Sequence, residues 1–420
     1  MFSQFGVVNF GKDAYIIVEG RQKAECFFII QQGKVRLTKQ AVVEGEENDE
    51  LLAPGDFFGV ISAMSSHSHF ETAQALTDVV LIAVRPQQYV SLIQNNIPVA
   101  TRILTQFSKQ LRFLDTELTK LTRNAEKQTA VAEGPPHLFA VAEYYFNHER
   151  YKQAFYAYAK YLKHCPKGEN GAAAAKRLKD LSSRVKDLKT EYGSGELTRS
   201  FRKGEIIFAE GEPGNEFFAI QRGSVKITKI VDDTEVLLAT LKAGDIFGEM
   251  ALLEDEPRAA SALAGENCAV MAINKANFEH MIKTQPQLVA RVTVLLADRI
   301  WFIFKQLENA QIIIPLGRVY DALLIQLEKA RVNLDGKNPY VFNFTWKDLE
   351  GMLGLRKNDG GLLLAELLKN KNLQLNEDGK IYSASVAEIV KHADFYRRMD
   401  KNKKSQRESR STRQQAQPEA

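Results

Sequence analysis

The stretch Phe247-Gly-Glu-Met-Ala-Leu-Leu-Glu-Asp-Glu-Pro-Arg-Ala-Ala-Ser261 puts an acid, an arginine and a row of small residues into one short segment. These are the parts of a pocket for a sugar phosphate. A phosphate needs a permanently charged planar fork and free backbone N–H groups, and Arg258 with the amides of Ala259 and Ala260 supplies both. Glu249 offers an acceptor to a ribose hydroxyl. Gly248 lets the backbone come close, and Pro257 fixes the turn that aims Arg258 inward.

Upstream, Gly204 to Lys229 runs in short alternating apolar stretches separated by glycine-bearing turns, the pattern of an antiparallel roll. Glu210-Gly211 and Pro213-Gly214 mark one bend, Arg222-Gly223 the next, and Ala243-Gly244-Asp245 the last before the segment. Cys268-Ala-Val-Met-Ala-Ile273 closes the roll.

The segment resembles the phosphate-binding cassette of cyclic nucleotide-binding domains, whose pattern is Phe-Gly-Glu, an apolar helical turn, then Arg-Ala-Ala or Arg-Thr-Ala. The resemblance implies that Glu249 holds the ribose 2'-hydroxyl and Arg258 the cyclic phosphate. Gly248, Met250, Ala251, Ala259 and Ala260 would complete the cradle, in an eight-stranded jelly roll over about residues 195 to 283. The implied effector is a cyclic mononucleotide, cyclic AMP or cyclic GMP, without a metal. In such domains the base is read partly from the following helix. This chain offers Ile303 and Phe304 there, which leaves adenine against guanine open.

The chain repeats itself. Val18-Glu-Gly20, Phe27 to Ile30, Gln32 to Lys39 and Pro54 to Gly59 each have a counterpart about 190 residues later. The first cassette, however, has Val60 where the ribose acid belongs, and His69, Phe70 or Glu71 where the arginine belongs. A carboxylate there repels phosphate, so the first roll reads as a degenerate, structural or dimerising copy. His67 and His69, on a polar loop without a third ligand, read as solvated.

Each roll leads into a long helix with an a/d-spaced seam: Leu104, Phe107, Leu111, Leu114, Leu118 and Leu121 in the first, Leu296, Ile300, Ile303, Leu307 and Ala310 in the second. Two readings stand for these seams, pairing into a homodimer or packing on the roll that precedes them. Between the rolls, after Pro135-Pro136, Leu138 to Leu162 interleaves alanines and aromatics at helical spacing. It resembles one tetratricopeptide repeat followed by a third helix at 171–190. A lone repeat buries its faces poorly, so a rigid spacer is expected ahead of a protein-binding groove.

Beyond the second seam, amphipathic helices over Pro315–Leu327 and Phe344–Leu355 (Thr345 as N-cap), a third over Lys357–Lys369, and a hairpin turning at Asp378-Gly379 resemble the winged helix-turn-helix of Crp/Fnr transcription regulators. The resemblance implies double-stranded DNA as a partner, with Thr345, Arg356, Lys357 and Asn358 as contacts. Yet Asp359 repels phosphate, and Gly360-Gly361 weakens the reading helix by roughly 1 kcal/mol per glycine. The basic tail from Arg397 reads as disordered.

The fold class expected is therefore an α+β multidomain chain: a β-roll with its helix (1–125), a helical segment (126–192), a ligand-binding roll with its helix (193–312), a winged module (313–396) and a tail (397–420). With 45% hydrophobic and 26% charged residues, no apolar run long enough for a membrane span and no signal pattern, a cytosolic globular protein is expected. Net charge is only +4, so any nucleic-acid attraction is local. Cys26, Cys165 and Cys268 are too scattered for a disulfide framework. No catalytic constellation is present in the sequence.

Overall fold

The structure, a computed structural model, describes residues 5–20, 24–39, 49–123, 134–185, 188–192, 196–231, 233–249, 257–355 and 360–415. Its contacts divide the chain into two compact units, one of residues 1–38, 50–113 and 127–299, the other of 39–49, 114–126 and 300–420.

The first unit opens with β1 (Gly6–Phe10), β2 (Tyr15–Ile17), β3 (Phe27–Gln32), β4 (Val35–Thr38), β5 (Asp49–Leu52), β6 (Phe57–Phe58), α1 (Val60–Ser65), β7 (Thr72–Ala75) and β8 (Val79–Val84). These strands form two four-stranded antiparallel sheets, ordered β1-β8-β3-β6 and β2-β7-β4-β5. Apolar side chains alternate inward along them, so Phe28, Ile30, Val35, Leu37, Phe58 and Leu81 share one core. α2 (Tyr89–Asn95) and α3 (Ile97–Arg123) follow, then α4 (His137–Asn147), α5 (Tyr151–His164) and α6 (Gly171–Ser182).

The second roll repeats the first: β9 (Thr198–Phe201), β10 (Ile206–Phe208), β11 (Glu216–Arg222), β12 (Ser224–Val231), β13 (Thr234–Lys242), β14 (Ile246–Phe247), β15 (Ser261–Ala264) and β16 (Cys268–Asn274). Its sheets run β14-β11-β16-β9 and β10-β15-β12-β13, the same connectivity strand for strand. α7 (Lys275–Thr284) and the first part of α8 (Pro286–Ala310) complete it, α8 from Ile300 onward belonging to the second unit. The small residues of α5, Ala154 and Ala157, let it close on α4, and both helices share a hydrophobic cluster with Ile206, Ala209 and Leu263 of the second roll.

The second unit holds α9 (Pro315–Lys329), β17 (Tyr340–Thr345), α10 (Trp346–Leu353), α11 (Gly360–Leu367), β18 (Leu373–Leu375), β19 (Lys380–Ser383) and α12 (Val386–Gln415). The three strands form one antiparallel sheet ordered β17-β19-β18. Its core joins Val319, Leu323, Phe342, Leu349, Leu363, Ile381 and Ile389.

Several expectations need correction. The third helix between the rolls ends at Ser182, because the Ser182-Ser183 side chains bond back to Lys179 and Asp180 carbonyls. The tail is not unstructured from Arg397: α12 stays helical to Gln415, a stretch free of Gly and Pro and rich in good helix formers. β17 was not anticipated. The α3 seam is buried from Leu104 to Leu114 but ends there, with Leu121 45% exposed. In α8, Leu296, Ile300, Ile303 and Leu307 are all buried within the single chain.

Candidate functional site

The second cassette is set by its backbone. Gly248 takes the left-handed conformation (φ 78°) that follows β14, which turns the chain so that Glu249 begins a helical turn. Gly211 N–H donates to the Arg258 carbonyl (2.9 Å), and Arg258 N–H donates to the Glu212 carbonyl (2.9 Å). This two-way lock ties the cassette's far end to the β10–β11 loop. From it the Arg258 side chain runs inward and is 6% exposed. Nη1 donates to the Gly248 carbonyl (2.6 Å) and Nη2 to the Glu216 carbonyl (2.7 Å). The plane lies over the Phe208 ring at 4.2 Å. A Cβ on Gly214 would lie 2.4 Å from its Cζ, so the missing side chain is what admits the guanidinium.

Burial pulls the Arg258 pKa below its usual value, opposed first by the Glu212 carboxylate and then by Tyr156, Glu216 and Glu249. Its Nε has no hydrogen-bond partner among the described residues, and neither does Glu249 Oε2, although Glu249 is 2% exposed. Glu249 Oε1 is met by Arg299 Nη1 at 3.2 Å. The site thus presents a buried cation and a buried anion, each with hydrogen-bonding capacity left over. Ala259 and Ala260 are half-buried beside them. Met250 and Ala251 lie outside the described residues.

A cavity of about 690 Å³ opens onto Arg258, within the roughly 300–1,000 Å³ range of small-molecule sites. Phe208, Gly214 and Arg258 line it from the roll, and Tyr156, Lys160 and His164 of α5 line it from outside the roll. Arg199, 8% exposed, grips the Glu216 carboxylate with both Nη atoms (2.7 and 2.8 Å) and so steadies the carbonyl that Arg258 uses. The sequence reading missed Arg199, Glu212, Arg299, Tyr156 and Lys160. A signal existed for two of them: Glu212 sits in the Gly-Glu-Pro-Gly turn read only as a bend, and Arg299 is a charged residue set directly before the apolar run Ile300 to Phe304.

The first cassette shows what degeneration did. Gly20 N–H donates to the His69 carbonyl (2.8 Å), the counterpart of the Gly211–Arg258 bond, so His69 stands in the arginine's place. It is not solvated, as expected from sequence, but 7% exposed, and burial holds its pKa down to about 4. Gly59, left-handed like Gly248, donates its N–H to Glu71 Oε1 at 2.8 Å, and Glu71 is 8% exposed. The protein's own carboxylate therefore occupies the amide that a ligand's anion would seek. His67 is likewise partly enclosed and faces Asp298 of α8 at 3.5 Å. In the other direction, Arg112 of α3 donates to the Pro257 carbonyl through both Nη atoms (3.4 and 3.3 Å).

Among the DNA-contact candidates, Thr345 has its side chain engaged in a capping box with Asp348 at the start of α10. Arg356, Lys357 and Asn358 lie outside the described residues. Leu362, on the face of α11 open to solvent, is 77% exposed. Among the described residues no helix is long and apolar enough to cross a membrane, and no group of three His, Cys, Asp or Glu side chains is placed to hold a metal. The three cysteines are free, Cys268 buried and Cys26 and Cys165 half-buried.

Both rolls, at residues 7–96 and 198–285, match the sequence model of the family described as cyclic nucleotide-binding domain. The chain carries two cyclic nucleotide-binding domains. It is 36% identical over 115 residues to a cAMP-dependent protein kinase regulatory subunit of Hypocrea atroviridis, covering 27% of this chain and 24% of that protein. It is 24% identical over 186 residues to the CRP-like cAMP-activated global transcriptional regulator of Mycobacterium tuberculosis, covering 44% of this chain and 83% of that protein. The solved structure of a CooA mutant from Carboxydothermus hydrogenoformans is similar at 18% identity and a TM-score of 0.40, over 48% of this chain and 92% of that one. The chain spans less than a quarter of the length of the kinase regulatory subunit.

Proposed function

We propose that the second roll binds a cyclic mononucleotide, cyclic AMP or cyclic GMP, and that the chain is a Crp/Fnr-like transcription regulator in which this binding alters DNA occupancy. Arg258 takes the cyclic phosphate and Glu249 the ribose 2'-hydroxyl. Gly248, Ala259 and Ala260, with Met250 and Ala251, form the rest of the cradle. The observation that supports this most is the pairing of a buried Arg258, its Nε unpartnered, with a buried Glu249, its Oε2 unpartnered, across one cassette. A buried polar atom without a partner is costly, and a phosphodiester with a vicinal hydroxyl offers a partner to both of these atoms. The first roll, its anion position taken by Glu71, acts as a structural copy. In the second unit, α10, α11 and the β18–β19 hairpin serve as a winged helix-turn-helix, and the basic α12 adds phosphate attraction. Calorimetric titration with cyclic AMP and cyclic GMP tests the first half: wild type binds at least one, and Arg258→Ala abolishes that binding. A wild type that binds neither ends this reading.

A second reading is a nucleotide-gated protein scaffold without DNA binding. Leu362 favours it, since a helix that reads base edges presents polar forks rather than an exposed leucine. A mobility shift with genomic fragments separates the two, because phosphate-bound complexes weaken steeply as salt rises.

A further inference from the structure

The cavity that opens onto Arg258 is walled on one side by α5, a helix that belongs to neither roll, and α5 also bonds to the loop that sets the arginine. Glu212, 7% exposed, is the centre of it. Its Oε2 accepts from Ala209 N–H (3.0 Å) and from the Tyr156 hydroxyl (3.1 Å), and its Oε1 meets Lys160 Nζ at 3.0 Å. Tyr156 and Lys160 lie four residues, about one helical turn, apart on α5 and are 3% and 7% exposed. The Ile207 carbonyl lies equally close to the Tyr156 hydroxyl (3.1 Å) and shares its single proton with the carboxylate, which links the strand leading into the loop to α5. Lys160 is shared with Glu191 (3.1 Å), and Lys163 reaches the same Glu191 (2.7 Å). On its other side, the Glu212 carbonyl receives the Arg258 N–H.

A buried carboxylate that loses one of its few partners rearranges or draws water, and a loop bonded to Arg258 through its backbone moves with it. Among the described residues, the other hydrogen bond to the Glu212 carboxylate comes from the local Ala209 amide. We propose that Tyr156 and Lys160 are positioning residues of the nucleotide site, holding Glu212 so that Arg258 is presented to the ligand, and that docking of α5 and ligand binding are therefore thermodynamically linked. This rests on the reading that the second roll binds a cyclic nucleotide. By reciprocity, ligand strengthens the α5 contact as much as the contact strengthens ligand binding.

The experiment is a calorimetric titration of the full chain with cyclic AMP and cyclic GMP, run on wild type, Tyr156→Phe, Lys160→Met, Lys160→Arg, Glu212→Gln and the Lys160→Met/Glu212→Gln pair, each with a melting curve. Loss of one charged partner predicts an affinity about tenfold weaker for Lys160→Met and a few-fold weaker for Tyr156→Phe, with Lys160→Arg near wild type. In the Glu212→Gln background Lys160→Met has little further effect, because the partner it served is gone. Hydrogen exchange across 151–164 slows when nucleotide is added to wild type and not when it is added to Glu212→Gln. A folded Lys160→Met and a folded Tyr156→Phe that both bind within twofold of wild type overturn the inference while leaving the site reading intact. Should Lys160→Met not fold, the isosteric Tyr156→Phe decides on the same twofold criterion. A wild type that binds no nucleotide removes the site reading itself.

Discussion

Gly214→Ala isolates the role of Arg258 without touching it. Gly214 does not have a left-handed backbone, so alanine is tolerated there by the main chain. The new methyl would sit 2.4 Å from Arg258 Cζ and 2.5 Å from both Nε and Nη2, whereas non-bonded carbon contacts settle near about 3.5–4.0 Å. The guanidinium, the free end of a flexible chain, therefore moves by about 1 Å and gives up its bonds to the Gly248 and Glu216 carbonyls. Charge-assisted bonds of this kind contribute about 1.5–3 kcal/mol each, and a phosphate contact misplaced by about 1 Å loses affinity by roughly 30- to 100-fold, about 2–3 kcal/mol. Calorimetric titration of cyclic nucleotide into Gly214→Ala measures this. Gly361→Ala, where an added Cβ meets nothing within 4 Å, serves as the control and leaves binding unchanged. A Gly214→Ala protein that binds within threefold of wild type refutes the argument that this glycine exists to admit the arginine.

Glu71→Ala strands the Gly59 amide and lowers stability by about 1–3 kcal/mol in urea unfolding, yet binding stoichiometry remains one nucleotide per chain because His69 replaces the arginine. His69 stays neutral down to about pH 4 when folded, while the unfolded imidazole protonates near 6.5. Its contribution to stability is thus complete above about pH 6.5 and is lost as pH falls toward 4, by up to about 3 kcal/mol, and His69→Gln flattens that slope in pH-dependent unfolding. Arg299→Ala leaves Glu249 without its cation. Because the arginine is 32% exposed, the expected loss is about 1–2 kcal/mol, read as a lowered melting temperature. Thr345→Ala removes the α10 cap and costs about 1 kcal/mol in the same measurement.

The cassette and the strand-and-turn pattern were legible because their chemistry is local: Gly248, Pro257 and Arg258 declare themselves within a dozen residues, and each roll's turns carry glycine. The duplication was legible for the same reason, through matched turns about 190 residues apart. What escaped depends on distant contacts. The aromatic and alanine pattern of α5 predicts a helix packed on α4, but the same helix turns Tyr156 and Lys160 toward a loop more than fifty residues away, and no periodicity encodes that. His69 looked solvated among serines, but Phe70, 1% exposed, draws the loop into the roll and takes its neighbours with it. Arg299 was hidden by the apolar seam around it, since a seam reading credits the leucines and passes over the charged residues between them. The helical course of α12 was misjudged because low hydrophobicity was weighed above the absence of helix breakers.

Because α3 leaves the first roll to touch Pro257 of the second cassette, and α8 leaves the second roll to set Asp298 against His67 of the first, the two halves of the repeat clasp each other inside one polypeptide. Tethering fixes such a meeting at a local concentration on the order of millimolar, whatever the abundance of the protein. Diluting the protein a thousandfold therefore leaves these contacts between the two rolls formed.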